Sequence, residues 1–199
     1  MVPAEAIERA VTLLRAGGLV AYPTDTLYGL AVDPRSAEAV HRLFEVKGRH
    51  AGHAVPLIAA DIAQAAEAAR FDDRARRVAA AFWPGPLSIV LPAREAVRGE
   101  LLGSDRTIAV RVADHPVARA LAEGLGFCIT ATSANLTGQP ATASPELVTR
   151  TLGDRVDIVL DDWMSPGGPP STVVDLRGPE PRLLREGAIA WDRVLRSIQ

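Results

Sequence analysis

Leu-Val-Ala-Tyr-Pro-Thr-Asp-Thr-Leu-Tyr-Gly-Leu-Ala-Val, residues 19–32, decides the fold class. Leu19 to Tyr22 is a short apolar run stopped by Pro23, and Thr26 to Val32 is a second strand candidate after the Pro-Thr-Asp-Thr turn. Helical patterns bracket this pair. Residues 3–16 place Ile7, Ala10, Val11 and Leu14 on one apolar face, with Pro3 in the first turn and Gly17-Gly18 at the end. Ser36 can cap a helix over 37–47, with Val40, Leu43, Phe44 and Lys47 on one side and Gly48 just past its end.

The alternation continues along the chain. Val55–Ala59 looks like a buried strand, and 61–70 and 72–82 are alanine-rich helices broken by Trp83-Pro84-Gly85-Pro86. Strands follow at Leu87–Leu91 and Thr107–Val112, a helix at 116–124, a strand at Phe127–Thr130, and a helix opened by Ser144-Pro145. Val156–Leu160, Ser171–Leu176 and Arg182–Arg185 complete the strands. Strands interleaved with helices predict an α/β (α+β) domain around a mixed sheet. With no internal repeat, heptad run or dividing linker, one domain over 1–199 is expected. The loop Ser165-Pro166-Gly167-Gly168-Pro169-Pro170 reads either as a plain connection or as a flap over a site.

Composition narrows the function classes. Of 199 residues, 48% are hydrophobic and 23% charged, the balance of a globular chain rather than a disordered one. A net charge of −2 argues against a general polyanion binder. The single cysteine, Cys128, cannot form an internal disulfide and reads as a small buried hydrophobe. Glu5 and Glu8 interrupt the first apolar stretch, so it is no secretory signal, and no run is apolar enough to span a membrane. A cytoplasmic, non-membrane protein is expected. Only one of the 22 basic residues is Lys, Lys47, and Asn135 is the only Asn.

Three polar clusters follow apolar segments, where ligands collect in open α/β sheets. Pro23-Thr24-Asp25-Thr26 either satisfies its own backbone or offers hydroxyls to a small polar ligand. Lys47-Gly48-Arg49, followed by His50 and His53, is either a positive helix end or a pair of cations converging on a polyanion. Thr130 to Asn135 is either a capped turn or a set of small donors for a phosphate. Arg111 and Arg185 end strands, either as solvated charges or as clamps for a carboxylate or phosphate. Walker-type and Gly-x-Gly-x-x-Gly phosphate loops, zinc-site spacings and a Gly-x-Ser-x-Gly elbow are all absent from the sequence, so no protein-held metal is expected.

In this order the segments resemble the YrdC-type threonylcarbamoyl-AMP synthases. The resemblance rests on Pro-Thr-Asp-Thr-Leu-Tyr-Gly-Leu at 23–30, Lys-Gly-Arg at 47–49, Trp-Pro-Gly-Pro-Leu-Ser at 83–88 and Ala-Val-Arg-Val at 109–112. It continues through Thr-Ser-Ala-Asn at 132–135, Ser-Thr-Val-Val-Asp-Leu at 171–176 and Leu-Arg-Glu-Gly-Ala-Ile at 184–189. It implies a twisted open α/β sheet with flanking helices in a single YrdC-like domain, the family's short form. It also implies an enzyme, a nucleotidyltransferase joining L-threonine, bicarbonate and ATP into threonylcarbamoyl-AMP and pyrophosphate, with Mg²⁺ carried by the nucleotide. Other proteins would then pass the threonylcarbamoyl group to a tRNA adenosine.

The resemblance places Thr26, Arg111 and Ser171 around threonine, and Lys47, Arg49, His53, Thr107, Ser133, Asn135 and Arg185 around the nucleotide. Lys47, Arg49, Ser133 and Asn135 match the family's Lys-x-Arg and Ser-x-Asn signature and would be catalytic. The helix end carrying Lys47 is expected to tolerate alanine without loss of fold. One departure stands out. The family's Lys-x-Arg is followed by Pro, then by Asn or Lys four residues after the Arg, then by Pro-Leu; this chain has His50, His53, Ala54 and Val55 there. A catalytically degenerate paralogue is therefore one alternative. A double-stranded RNA-binding module is the other, resting on a concave basic surface and the run Arg70, Arg74, Arg76 and Arg77, which Asp72 and Asp73 dilute.

Overall fold

Local capping chemistry sets the helix boundaries. The first helix, α1 (Ala4–Arg15), starts after Pro3 and unwinds at Gly17, whose φ of 83° suits glycine. After β1 (Val20–Tyr22) and β2 (Gly29–Ala31), the Ser36 side chain accepts from the Ala39 N–H to start α2 (Ala37–Lys47). Gly48 ends α2 in the left-handed region at φ 60°. Next come β3 (Leu57–Ala59), α3 (Ile62–Ala68) and α4 (Asp73–Phe82), the two helices capped by Asp61 and Asp72. The chain continues with β4 (Leu87–Pro92), β5 (Thr107–Val112), α5 (Pro116–Leu125), β6 (Ile129–Thr130), β7 (Thr132–Ser133) and α6 (Pro145–Leu152). It ends with β8 (Ile158–Val159), β9 (Thr172–Asp175), β10 (Arg182–Arg185) and α7 (Trp191–Ile198). This computed structural model describes residues 2–48, 54–103, 105–161, 165 and 167–198.

The α/β reading holds, and the strands divide between two mixed sheets. One has the order β7-β2-β1-β8 and the other β10-β9-β4-β5-β3-β6. The chain passes between them three times, and the shortest passage runs from β6 to β7. Residues Ile129 and Thr130 pair with β3, and two residues later Thr132 and Ser133 pair with β2. The Thr130 hydroxyl ties the same junction from the side: it accepts from the Val32 N–H at 2.9 Å and donates to the Leu30 carbonyl at 3.0 Å. The helices pack outside, with α1 against α5 and α4 against α7, and the interior is filled by fully buried Tyr22, Tyr28, Leu30, Leu57, Ile58, Leu87 and Ile89.

Two sequence expectations change. Helix α7 was not anticipated: its eight residues carry a single buried anchor, Val194, and its Arg193 lies 5.8 Å from the Phe82 ring of α4. The arginine run on α4 is also committed internally. Arg74 donates to the carbonyl oxygens of Leu176, Gly178 and Pro179, and Arg76 lies over the Phe71 ring. That run clasps the C-terminal segment, and an RNA surface built on it loses its central cation.

Two outcomes follow from the core. Thr130→Val keeps the shape but leaves a buried N–H and a buried carbonyl at the junction, so urea unfolding should report a loss of about 2–4 kcal/mol with little change in slope. Cys128 is fully buried, and burial pushes its thiol up to about 12. Its unfolded counterpart titrates near ~8.5. The native state therefore holds this proton longer, and its contribution to stability should be present below ~8.5 and fade as pH climbs toward 12. Native protein at pH ~8 should resist iodoacetamide until denaturant opens the core.

Candidate active site

The turn after β1 supplies the first wall. Thr24 Oγ1 donates its one proton to the Leu27 carbonyl at 2.8 Å and accepts from the Thr26 N–H at 3.1 Å. Across the 3.1 Å contact between the two hydroxyls, Thr26 is therefore the donor, and its oxygen keeps lone pairs for a ligand. The proline-glycine loop packs on this turn: Ser165 Oγ accepts from the Thr24 N–H, and Gly167 N–H donates to the Thr26 carbonyl.

The sheet order supplies the floor. Val173 of β9 pairs with Arg185 of β10 on one side and with Ser88 of β4 on the other. One step beyond the last β4–β5 register pair, Ile89 with Val110, Ser88 comes opposite Arg111. Arg111, Ser88, Val173 and Arg185 thus form a row across four adjacent strands. A bulge between Leu183 and Arg185 brings Arg185 into this row and leaves Leu184 56% exposed. Gly187 permits the close return of the chain, since a Cβ there would overlap the Pro170 carbonyl oxygen.

These walls enclose a cavity of about 270 Å³, to which Thr26, Ser88, Arg111, Ser133, Ser171 and Arg185 all contribute. Its two guanidiniums are held differently. Arg111 approaches Asp25 at 3.1 Å, the side chains being 8% and 9% exposed. This is an ion pair without hydrogen-bond alignment: among the described residues neither Asp25 oxygen nor Arg111 Nη1 makes a hydrogen bond. Arg185 donates to the Ser171 carbonyl from Nε at 3.1 Å and from Nη2 at 2.8 Å, and to Ser171 Oγ at 3.0 Å. Burial of the guanidinium, and after it the charge of Arg111, hold the Arg185 pKa below its ordinary range. Two guanidiniums sharing one hollow favour an anion between them. Tyr22 also lines the hollow; burial pushes its phenol above the ordinary range, and it donates to the Thr130 carbonyl.

Other expected residues fall outside the wall. Lys47 lies behind it, 2% exposed, with Nζ donating to the Ser133 carbonyl at 2.5 Å and to Asn135 Oδ1 at 2.9 Å. Ser133 Oγ donates to the same Asn135 oxygen at 2.6 Å, and Asn135 Nδ2 donates to the Gln139 carbonyl. Thr107 starts β5 while Arg111 stands near its far end, and the Thr107 hydroxyl donates to Asp105 at 2.8 Å in a cluster with Arg177 and Asp175. Four residues of strand, roughly 13 Å, separate it from Arg111, so it does not line the cavity. Arg49, His50 and His53 lie outside the described residues, whereas Ala54 lines the cavity and Val55 is buried. Sequence reasoning missed Ser88 and Tyr22. Ser88 had a signal, being the one hydroxyl inside the apolar strand 87–91.

The buried Lys47 corrects the expectation that its helix end tolerates alanine. Lys47→Ala removes a buried cation and its bonds to the Ser133 carbonyl and Asn135 Oδ1, so it should lower stability by about 2–4 kcal/mol in urea unfolding as well as reduce activity.

Comparison with known proteins adds the family context. The Sua5/YciO/YrdC family model, described as telomere recombination, matches residues 12–187. A threonylcarbamoyl-AMP synthase of Bacillus subtilis is 34% identical over 190 residues, covering 94% of this chain and 55% of that protein. One of Vibrio cholerae is 37% identical over 187 residues, covering 92% of this chain and 98% of that protein. The crystal structure of Pyrococcus abyssi Sua5 complexed with L-threonine superposes with a TM-score of 0.95 at 35% identity, over 100% of this chain and 58% of that one. The chain therefore spans just over half the length of the Bacillus and Pyrococcus proteins and nearly all of the Vibrio one.

Proposed function

The chain belongs to the Sua5/YciO/YrdC family, and from that premise we propose that it is a threonylcarbamoyl-AMP synthase, joining L-threonine, bicarbonate and ATP into threonylcarbamoyl-AMP. The observation that carries the reading is the convergence of Arg111 and Arg185 with the hydroxyls of Thr26, Ser88, Ser133 and Ser171 on one cavity.

In this reading the threonine carboxylate meets the Arg111 fork, the lone pair that Ser171 Oγ keeps beside Arg185 accepts from the threonine hydroxyl, and the free lone pairs of Thr26 accept from the amine. The amine nitrogen bonds to the bicarbonate carbon and a water is lost. A carbamate oxygen then bonds to the α-phosphorus while the bond to the β-phosphate breaks and pyrophosphate leaves. Both reactants of the second step are anions. Arg185 at one end of the row and Arg111 at the other lower the repulsion, and the fixed walls hold the reactants in line. Ser133 faces the nucleotide, with Lys47 and Asn135 holding it from behind and adding a positive charge. Arg49 and His53 are the further nucleotide contacts of this proposal, and Thr107 is left to a structural part. The wall offers hydroxyls and guanidiniums, a donor set for phosphate and carboxylate oxygens, so Mg²⁺ is taken to arrive on the triphosphate. Downstream proteins that transfer the threonylcarbamoyl group to tRNA would consume the adenylate.

Purified protein given Mg-ATP, bicarbonate and L-threonine should release pyrophosphate only when threonine is present. Arg111→Lys keeps a charge over Asp25 but loses the fork, so the KM for threonine should rise about tenfold or more while that for ATP stays within about threefold. Threonine-independent release, or an equal rise in both constants, would count against the reading.

A further inference from the structure

Ser88 has no part in the site as read from the sequence, yet it is one of the two inner residues of the row, next to Arg111. Its residue is 2% exposed, its side chain lines the cavity, and its Oγ lies 3.1 Å from Ser171 Oγ. The protons of this pair can be counted. Ser171 Oγ already accepts from Arg185 Nη2 at 3.0 Å. Two hydroxyl protons remain, and one occupies the bond between the serines. Either oxygen can donate across this contact; an acceptor engaged by a guanidinium is polarised to donate onward, and on that ground the proton is assigned from Ser171 to Ser88. That leaves the Ser88 O–H uncommitted, since among the described residues no other partner takes it. The result is a relay, Arg185 to Ser171 to Ser88, ending in one O–H donor on the floor between two guanidiniums.

We propose that Ser88 donates to the oxyanion of the one-carbon unit, bicarbonate first and the carbamate formed from it, between Arg111 and Arg185. The inference rests on the reading above and deepens it. In the product, the carbonyl carbon bonds to the threonine nitrogen on one side and, through oxygen, to the α-phosphorus on the other. If threonine lies at the Arg111 end and phosphate at the Arg185 end, the one-carbon unit lies over the centre of the row. Val173, the other residue there, has no donor. An anionic oxygen above Ser88 receives a charge-assisted hydrogen bond while both guanidiniums offset its charge.

The test uses Ser88→Ala and Ser88→Thr in the intact chain, with thermal unfolding as the check on fold. Ser88→Ala should raise the KM for bicarbonate about tenfold or more, while those for threonine and ATP move less than about threefold. Ser88→Thr keeps the donor and should restore the bicarbonate KM to near the wild-type value. A second readout needs no turnover: line broadening of ¹³C-bicarbonate in the presence of threonine, seen with wild type and Ser88→Thr and lost with Ser88→Ala. An active enzyme whose bicarbonate KM ignores Ser88→Ala overturns the Ser88 proposal and leaves the synthase reading standing. Ser88-dependent broadening in a protein that makes no pyrophosphate does the reverse. Equal rises in all three constants, or broadening unaffected by Ser88→Ala, would assign the hydroxyl to packing alone.

Discussion

Five residues, Ile129 to Ser133, must serve two sheets at once, and the site depends on how they do it. Ile129 and Thr130 complete the edge of the six-stranded sheet at β3, and Thr132 and Ser133 complete the edge of the four-stranded sheet at β2. Between them Ala131 donates its N–H to the Pro56 carbonyl, and the Thr130 hydroxyl bonds both Leu30 and Val32. A hollow is the natural consequence. Two twisted sheets joined by one short crossing cannot lie flush near it, and the last residue of the crossing, Ser133, is delivered to its wall with Asn135 behind it. A longer connection would have left their positions free to vary.

The electrostatics divide along the same geometry. Arg111 and Arg185 stand at opposite ends of a row with Ser88 and Val173 between them, which limits their repulsion while letting a bound anion feel both. Arg111 is offset by Asp25, buried beside it at 3.1 Å, whereas among the described residues Arg185 is steadied by the dipoles of Ser171 and by no carboxylate. The Arg111 end is thus close to neutral before a ligand arrives, and the Arg185 end is not. A monoanion such as an amino-acid carboxylate suits the first and a more highly charged phosphate chain the second. The asymmetry comes from the residues that flank each strand end.

Much of this was legible in the sequence. Ser36 and Gly48 bound α2 as their capping chemistry predicts, and the apolar runs at 87–91 and 107–112 are β4 and β5. What escaped was whatever depended on strand order or on a few long-range bonds. Helix α7 is the exception: it is legible in its period, with Trp191, Val194, Leu195 and Ile198 at i, i+3, i+4 and i+7, but it is only eight residues long with one fully buried anchor and was passed over. β7 is two residues long and exists because β2 needs a partner. Thr107 and Arg111 share a strand and an even spacing, which gives them one face, but strand length carries them to opposite ends. Ser88 was hidden because a lone hydroxyl in a buried strand is satisfied by its neighbours in most folds; only the order β10-β9-β4-β5 sets it between two arginines.

The same geometry explains why a chain that otherwise uses arginine keeps one lysine. Lys47 ends α2 with its side chain directed inward, where its ammonium donates to the Ser133 carbonyl and to Asn135 Oδ1. These acceptors sit two residues apart in one tight turn, and Asn135 Oδ1 already takes the Ser133 hydroxyl. A compact ammonium with rotatable donors reaches both oxygens from a single point. A guanidinium is broader, and its N–H groups diverge in a fixed plane that matches a carboxylate better than two oxygens on a curled backbone. The burial of Lys47 and the placement of Asn135 are therefore two sides of one constraint: the turn after β7 closes around a cation, and closing it shapes the wall that Ser133 presents to the cavity.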